Sequence, residues 1–158
     1  MKDKSRRLQG FTLIEILVVV ALIAILAAVT IVAMNPAKNF ADTRNATRSA
    51  DVNAILNAVT QYTSEEGHAI GDLIDADGAP AAISDNCATP TPIGALAANL
   101  DLGAETGPLV DEYIVEMPLD PTTGTTDDTG YTICLTAGGR VQIDAPDAEN
   151  GKTISVKR

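Results

Sequence analysis

GFTLIE, at residues 10–15, lies between a basic leader and nineteen residues without a charge, 16–34. A transmembrane helix needs about 20 apolar residues, because each residue rises about 1.5 Å and the hydrocarbon layer is about 30 Å thick. The apolar run has about this length and exceeds the roughly 7–15 residues of an ordinary secretory signal. We therefore predict a retained anchor rather than a signal that is removed after small residues such as Ala27 and Ala28.

Charge is divided unevenly along the chain. The leader, residues 1–10, has a net charge of +3, so the remainder carries −13 within a total of −10. A cationic start before an apolar stretch directs membrane insertion with the start on the cytoplasmic side. The acidic remainder argues against direct binding of nucleic acid, which needs clustered Lys and Arg, and against a polybasic membrane contact.

Residues 10–20, GFTLIEILVVV, resemble the class III signal of type IV pilins and of the pseudopilins of type II secretion systems. The resemblance covers the leader and the apolar run, about the first quarter of the chain. It implies that a prepilin peptidase of the membrane cleaves between Gly10 and Phe11, and that the new Phe11 amine is methylated. Glycine suits the cleaved position, because a protease can approach its backbone closely.

Glu15 is the costly residue of this signal. A carboxylate in or near hydrocarbon costs a few kcal/mol, so it usually has a partner and a function. The resemblance implies that the apolar helix first anchors the chain and then forms the core of a filament. In that core Glu15 would meet the Phe11 amine of a subunit in the growing filament.

A second helical stretch is predicted over residues 35–66. Its apolar residues fall on one helical face, namely Val52, Ile55, Leu56, Val59 and Tyr62. The charged residues expected to lie mostly off that face are Lys38, Asp42, Arg44, Arg48 and Asp51. Asn35-Pro36 is expected to kink one long helix rather than break it, and Gly67 to end it. The predicted segments are a leader 1–10, a transmembrane or filament-core helix 11–34, an amphipathic half 35–66 and a head 67–158.

The head is predicted to have an α+β fold. A loop is expected over 71–92, and short helices within 93–102 and at 109–114. PLDP, at residues 118–121, resembles the Pro-x-Asp-Pro turn that precedes the first strand in many pseudopilins and pilins. Alternating apolar residues then predict an antiparallel sheet of three or four strands with one face on the amphipathic helix, from the segments 131–136, 140–144 and 153–156.

Two pairs of residues are candidates for further chemistry. Asp127 and Asp128 are weak candidates for calcium, because some major pseudopilins bind calcium in a loop of this region, although adjacent carboxylates in such a loop are more often solvated. No other cofactor is expected. Cys87 and Cys134 are predicted to form a disulfide if this region is exported, and to be two small core residues if it is not.

The sequence does not suggest an enzyme. It has no phosphate-binding glycine loop, no zinc-ligand spacing and no nucleophile–base pair, and His68 is its only histidine. No catalytic or cofactor-binding residue is therefore assigned.

We predict a structural subunit of a type IV pilus-like filament. The alternative within the same superfamily is a pseudopilin of a type II secretion or DNA-uptake system, and a more distant one is a monomeric membrane-tethered binding protein. The implied partners are other pilin subunits, the prepilin peptidase and methylase, and the assembly platform of the inner membrane. The chain would cross that membrane once with its head outside the cytoplasm, and would then enter an extracellular pilus or periplasmic pseudopilus. The task of the filament, whether adhesion, motility, DNA uptake or secretion, stays open.

Overall fold

A computed structural model of the chain describes residues 10–73, 83–96, 99–103 and 109–158. The elements in chain order are α1 (Leu13–Met34), α2 (Pro36–Tyr62), a 3₁₀ turn (Ile70–Asp72), β1 (Thr91–Pro92), β2 (Thr132–Leu135), β3 (Val141–Ala145) and β4 (Ile154–Lys157). The predicted α+β class is confirmed. The chain divides into two compact units, Met1–Asn39 and Phe40–Arg158, so most of α2 belongs to the head.

α1 is apolar on every side. Its 22 residues make it about 33 Å long, and an 18-residue window within it has a mean hydropathy of 3.3. None of its residues is buried by the described part of the chain. A helix of this length and composition is suited to hydrocarbon or to the interior of an assembly.

The expected kink at Asn35-Pro36 is instead a break between two helices. Asn35 adopts the left-handed conformation, with φ 41° and ψ 72°, and ends α1. Its side-chain oxygen accepts a hydrogen bond from the Lys38 N–H at 3.4 Å, which caps the start of α2. Asparagine tolerates this conformation better than most residues, and Pro36 has no N–H to leave unpaired in the first turn. α2 then ends at Tyr62, four residues before the predicted end, and Gly67 lies beyond it with φ 93°.

The sheet has four antiparallel strands in the order β1-β2-β3-β4. The three predicted strands are confirmed, and the fourth, β1, comes from a segment predicted to be loop. Ile133 lies opposite Ile143, which in turn lies opposite Val156. Pro92 is tolerated in β1 because this strand is at the edge of the sheet, where one row of N–H groups needs no partner.

The predicted apolar face of α2 is confirmed as the face that packs on the sheet. All five residues are buried in one core, and Tyr131, Ile133 and Ile143 from the sheet side join them. Burying a side chain of this size contributes roughly 1.5–3 kcal/mol, so this contact is a large share of the stability of the head.

The two short helices expected in the head are absent from the described residues. Ile93 and Leu100 form a bridge instead, and the Leu100 N–H donates to the Pro92 oxygen at 2.8 Å. Val110 and Ile114 close a turn in which Asp111 has φ 74°. Ile93, Leu100 and Leu109 are fully or almost fully buried, so these apolar residues complete the core from irregular segments rather than from helices.

Candidate functional site

The signal residues form a capping box at the start of α1. Thr12 is the N-cap, and its hydroxyl accepts the Glu15 N–H at 3.3 Å. The Glu15 carboxylate accepts the Thr12 N–H at 3.4 Å. This reciprocal arrangement satisfies two N–H groups that the first turn would leave unpaired, and it places a negative charge at the positive end of the helix dipole.

The capping box is compatible with the predicted cleavage. Thr12 keeps its peptide N–H when the bond between Gly10 and Phe11 is cut, so Glu15 keeps this donor. A side chain at Gly10 would meet nothing within 4 Å in the described structure, and Phe11 is 81% exposed. The fold of this chain therefore gives no reason for glycine at position 10, whereas close approach by a peptidase would.

Arg48 is the centre of a buried cluster that the sequence analysis missed. It was expected to lie off the apolar face of α2, which is wrong, because its side chain is fully buried. Arg48 precedes Val52 by four residues and therefore continues the buried face, so the helical spacing was the signal for it. A charged side chain is tolerated at such a buried position only when it has ion-pair and hydrogen-bond partners.

Every N–H of the Arg48 guanidinium has an acceptor. Nε and Nη2 donate to the two oxygens of Asp120 at 2.6 and 3.1 Å, and Nη2 also donates to the Thr122 hydroxyl at 2.8 Å. Nη1 donates to the Asn45 side-chain oxygen at 3.2 Å and to Glu149 at 3.0 Å. Five donors with five acceptors make this the arrangement in which a buried guanidinium is tolerated.

Asp120 shows what the PLDP turn does in this chain. Its carboxylate also accepts the N–H groups of Thr122 and Thr123 at 2.8 and 3.2 Å. The backbone closes tightly around it, since a Cβ at Gly124 would lie 2.3 Å from the Asp120 nitrogen and one at Gly130 would lie 2.7 Å from the Asp120 Cβ. The turn thus presents one carboxylate to the helix.

Glu149 completes the connection from the loop between β3 and β4. Arg44 donates to both of its oxygens at 2.6 Å. Asn45, which is buried, donates to the Glu149 carbonyl and accepts the Glu149 N–H, both at 2.9 Å. We call Arg44, Arg48, Asp120 and Glu149 the helix lock, because they fasten α2 to the turn before β2 and to the loop before β4.

The helix lock shifts the titration of its members. Burial alone would raise the pKa of Asp120, but the hydrogen bonds from Arg48 and Thr122 outweigh burial and hold that pKa well below its usual range. The hydrogen bonds from Arg44, followed by those from Arg48, lower the pKa of Glu149 to about 2. The hydrogen bond to Asp120 raises the pKa of Arg48 further above its already high value.

Cys87 and Cys134 are joined by a disulfide. The bond lies beside a short pairing in which the Leu135 N–H donates to the Ser84 oxygen at 2.8 Å, and Ser84 bridges Cys134. The disulfide therefore fastens the segment before β1 to strand β2.

Asp127 and Asp128 lie in the loop before β2. The Asp128 carboxylate accepts the Gly130 N–H at 3.0 Å, and the Asp127 carbonyl accepts the Asn99 side-chain amide at 3.0 Å. Within the residues that the structure describes, no three side chains of His, Cys, Asp or Glu come together as a metal site would require.

Residues 5–31 match the family model of the prokaryotic N-terminal methylation motif. The match includes the predicted cleavage site and most of α1. Neither a search of curated proteins nor a search of solved structures found a match. The motif is the class III signal, so the chain is similar to the structural proteins called type IV pilins and pseudopilins, both in this signal and in having an apolar helix followed by an α+β head.

Proposed function

We propose that this chain is a structural subunit of a type IV pilus-like filament. The observation that carries the proposal is the methylation motif at residues 5–31 on a helix whose apolar side chains have no cover in the described structure. In this function the peptidase cuts between Gly10 and Phe11 and the Phe11 amine is methylated. The mature chain begins directly before the capping box.

In this function α1 lies first in the bilayer and then in the filament core. Large exposed apolar surfaces mark membrane or protein contacts, and α1 presents such a surface along its whole length, with Ile14, Leu26 and Val32 among its exposed residues. The bilayer covers these side chains before assembly. The α1 helices of neighbouring subunits cover them afterwards, and apolar burial then holds the filament core together.

Glu15 is the residue that selects the position of the incoming subunit. In the isolated chain its carboxylate is held by the Thr12 N–H. In the filament core the methylated amine of a neighbouring Phe11 brings the opposite charge. An ion pair is strong in such a low-dielectric setting, and a lone carboxylate there is costly, so a subunit that fails to form the pair is disfavoured.

The remaining contacts follow from this function. The subunit would meet the prepilin peptidase and methylase and the assembly platform in the cytoplasmic membrane, and other subunits in the filament. The head would lie outside the cytoplasm, where a disulfide persists. A pseudopilin of a secretion or DNA-uptake system would use the same steps. The long segment 70–102 and the lack of a strong calcium pattern favour a pilin.

The proposal is tested with Glu15→Gln in cells that express the full chain with an assembly system. We expect processing at Gly10 to continue, as seen from the mass of the mature chain, while the yield of sheared filaments falls strongly. Thr12→Val is the matched control, because it removes the capping hydroxyl and leaves the carboxylate, and its filament yield should stay close to that of the wild type. Normal filament yield from Glu15→Gln would contradict the role of Glu15. A wild-type chain found only as a membrane monomer would favour the tethered binding protein.

A further inference from the structure

Half of the cations in the head lie at one end of the sheet. Residues 40–158 contain six cations and nineteen acids. Three of the cations, Arg44, Arg48 and Lys152, form ion pairs with carboxylates of the head. The other three are exposed and make no ion pair with any described residue; they are Arg140, Lys157 and Arg158.

The strand register brings these three cations together. Lys157 lies opposite Gln142, and the Arg158 N–H donates to the Val141 oxygen at 3.0 Å. Arg140 directly precedes Val141 in the turn between β2 and β3. We call Arg140, Lys157 and Arg158 the basic end of the head.

A shallow polar groove opens beside the basic end. It has a volume of about 380 Å³ and is lined by Asn57, Thr60, Gln61, Ser64 and Arg158. Arg158 donates to the Asn57 side-chain oxygen at 3.2 Å, which holds its guanidinium at the rim. A carboxylate on a partner surface would find a positioned cation there.

The opposite end of the same sheet holds Arg44, Arg48 and Lys152, which are all ion-paired. It also holds two acids that form no ion pair with a described residue. Asp128 precedes β2 and Asp147 follows β3, and both line a groove of about 270 Å³. Both are exposed, and among the described residues they accept hydrogen bonds only from neutral donors, the Gly130 N–H and the Thr123 hydroxyl. We call Asp128 and Asp147 the acidic end. The strands between the two ends are four or five residues long, which separates the ends by about 13 Å or more.

α2 runs in the same direction as this charge gradient. Arg44 contacts Glu149, two residues from Asp147 in the loop at the acidic end, whereas Asn57 contacts Arg158 at the basic end. The thirteen steps from residue 44 to residue 57 cover about 20 Å along the helix. Subunits whose α2 helices follow one another along a filament would therefore present the basic end of one head to the acidic end of the next.

We propose that the basic end of each head binds the acidic end of a second copy of this chain, as a head-to-tail contact along the filament. The proposal rests on the filament function given above. A head with a net charge of −13 repels its neighbours, and this local complementarity offsets the repulsion where the heads touch. A contact between two different surfaces of the same chain does not close on itself as a two-fold dimer does, and it builds an open filament when its rotation does not close a ring.

The first test is zero-length cross-linking of sheared wild-type filaments with a carbodiimide, followed by peptide mass spectrometry. We expect a link from Lys157 to Asp147 or Asp128. These residues lie at opposite ends of the sheet within one chain, so the link would join two copies. Lys152 and Asp42 are the internal positive control, because their charged atoms lie 2.9 Å apart in one chain.

The second test is a charge swap. Arg158→Glu and Asp147→Lys, each alone, should lower the filament yield roughly fivefold, the factor that corresponds to about 1 kcal/mol for an exposed ion pair. The double variant Arg158→Glu/Asp147→Lys restores the opposite charges and keeps the net charge of the wild type, so its yield should recover.

The outcomes separate this contact from the filament function. Wild-type filaments that show the control link but none from Lys157 to the acidic end, together with no recovery in the double variant, would overturn the contact and leave the filament function standing. A link from Lys157 to a carboxylate of a different protein would also overturn it. If the wild-type chain forms no filament, both proposals fail.

Discussion

At the scale of single residues, Arg48 and Asp120 form the most deeply buried ion pair among the described residues. Both side chains are fully buried, and they join positions 72 residues apart in the sequence. Taking two charges out of water is costly, and the cost is offset only when the hydrogen bonds are complete. Removing Arg48 therefore leaves Asp120 as a buried charge without a counter-ion, and removing Asp120 leaves Arg48 with only the partly exposed Glu149.

Asp120→Asn should lower the free energy of unfolding by about 3–5 kcal/mol, because Arg48 then stays buried with only the partly exposed Glu149 as a counter-ion. The measurement is thermal or urea unfolding of the detergent-solubilised full chain at pH 7, followed by circular dichroism. Asp85→Asn is the matched control, since Asp85 is exposed, and it should change stability by no more than about 0.5 kcal/mol.

A third variant isolates the buried charge as the cause. Arg48→Met in the Asp120→Asn background removes that charge and should recover part of the lost stability. Equal stability of Asp120→Asn and the control would contradict the helix lock.

Acid should weaken the head through the same residues. The pKa values of Asp120 and Glu149 are lowered in the folded chain, that of Glu149 to about 2, whereas unfolded carboxyls titrate near 4. Their contribution to stability is therefore fully present above about pH 4 and is lost as the pH falls towards 2. The unfolding free energy of the wild type, measured between pH 5 and pH 2, should fall more steeply than that of Asp120→Asn/Glu149→Gln. Parallel curves would show that these two groups do not carry the acid sensitivity.

Part of the helix lock can be predicted from the sequence, and part of it cannot. The position of Arg48 on the buried face follows from its spacing to Val52, and PLDP indicates a turn at Asp120. The pairing of the two does not follow, because it depends on how the turn and Glu149 pack against α2, and the separation of 72 residues has no local signal. The signal residues are the opposite case, since Gly10, Phe11 and Glu15 lie within six consecutive residues and their motif is recognised from the sequence alone.

At the scale of elements, α2 belongs to both compact units of the chain. Its first residues, up to Asn39, belong to the unit that contains α1, and the rest packs in the head. The sequence predicts a kink rather than a break at Asn35, because helical periodicity continues on both sides of Pro36. The break depends on the left-handed backbone of the single residue Asn35, which the periodicity does not reveal. β1 was missed for a related reason, since two residues are too few to show alternation.

The disulfide should be an important staple of the irregular segments. It links residues 47 apart, and closing a loop of that length contributes about 4 kcal/mol in the chain-entropy model. Reduction should lower the melting temperature of the wild type by roughly 10–20 °C. Cys87→Ser/Cys134→Ser should melt at the lower temperature and should not respond to the reductant. Free-thiol labelling of the unreduced wild-type chain would contradict the bond.

At the scale of the whole molecule, the chain combines a short N-terminal motif that is recognised from the sequence with a head whose buried ion pair and disulfide stabilise its fold. In the proposed function, the methylation motif, the apolar α1 and the capping box at its start all concern how the chain is anchored, cleaved and packed. In the head, the helix lock and the disulfide hold irregular segments on α2 and the sheet. Its two charged ends then offer a way for heads to meet.

The central claim is that the chain is a processed filament subunit, and the N-terminus of that subunit tests it most directly. Filaments sheared from cells that express the full chain would be dissociated, and the subunit would be analysed by intact mass and by fragmentation from its N-terminus. We predict a chain that begins with N-methylated Phe11. A subunit that begins at Met1, or one that begins after the apolar run, would contradict the account.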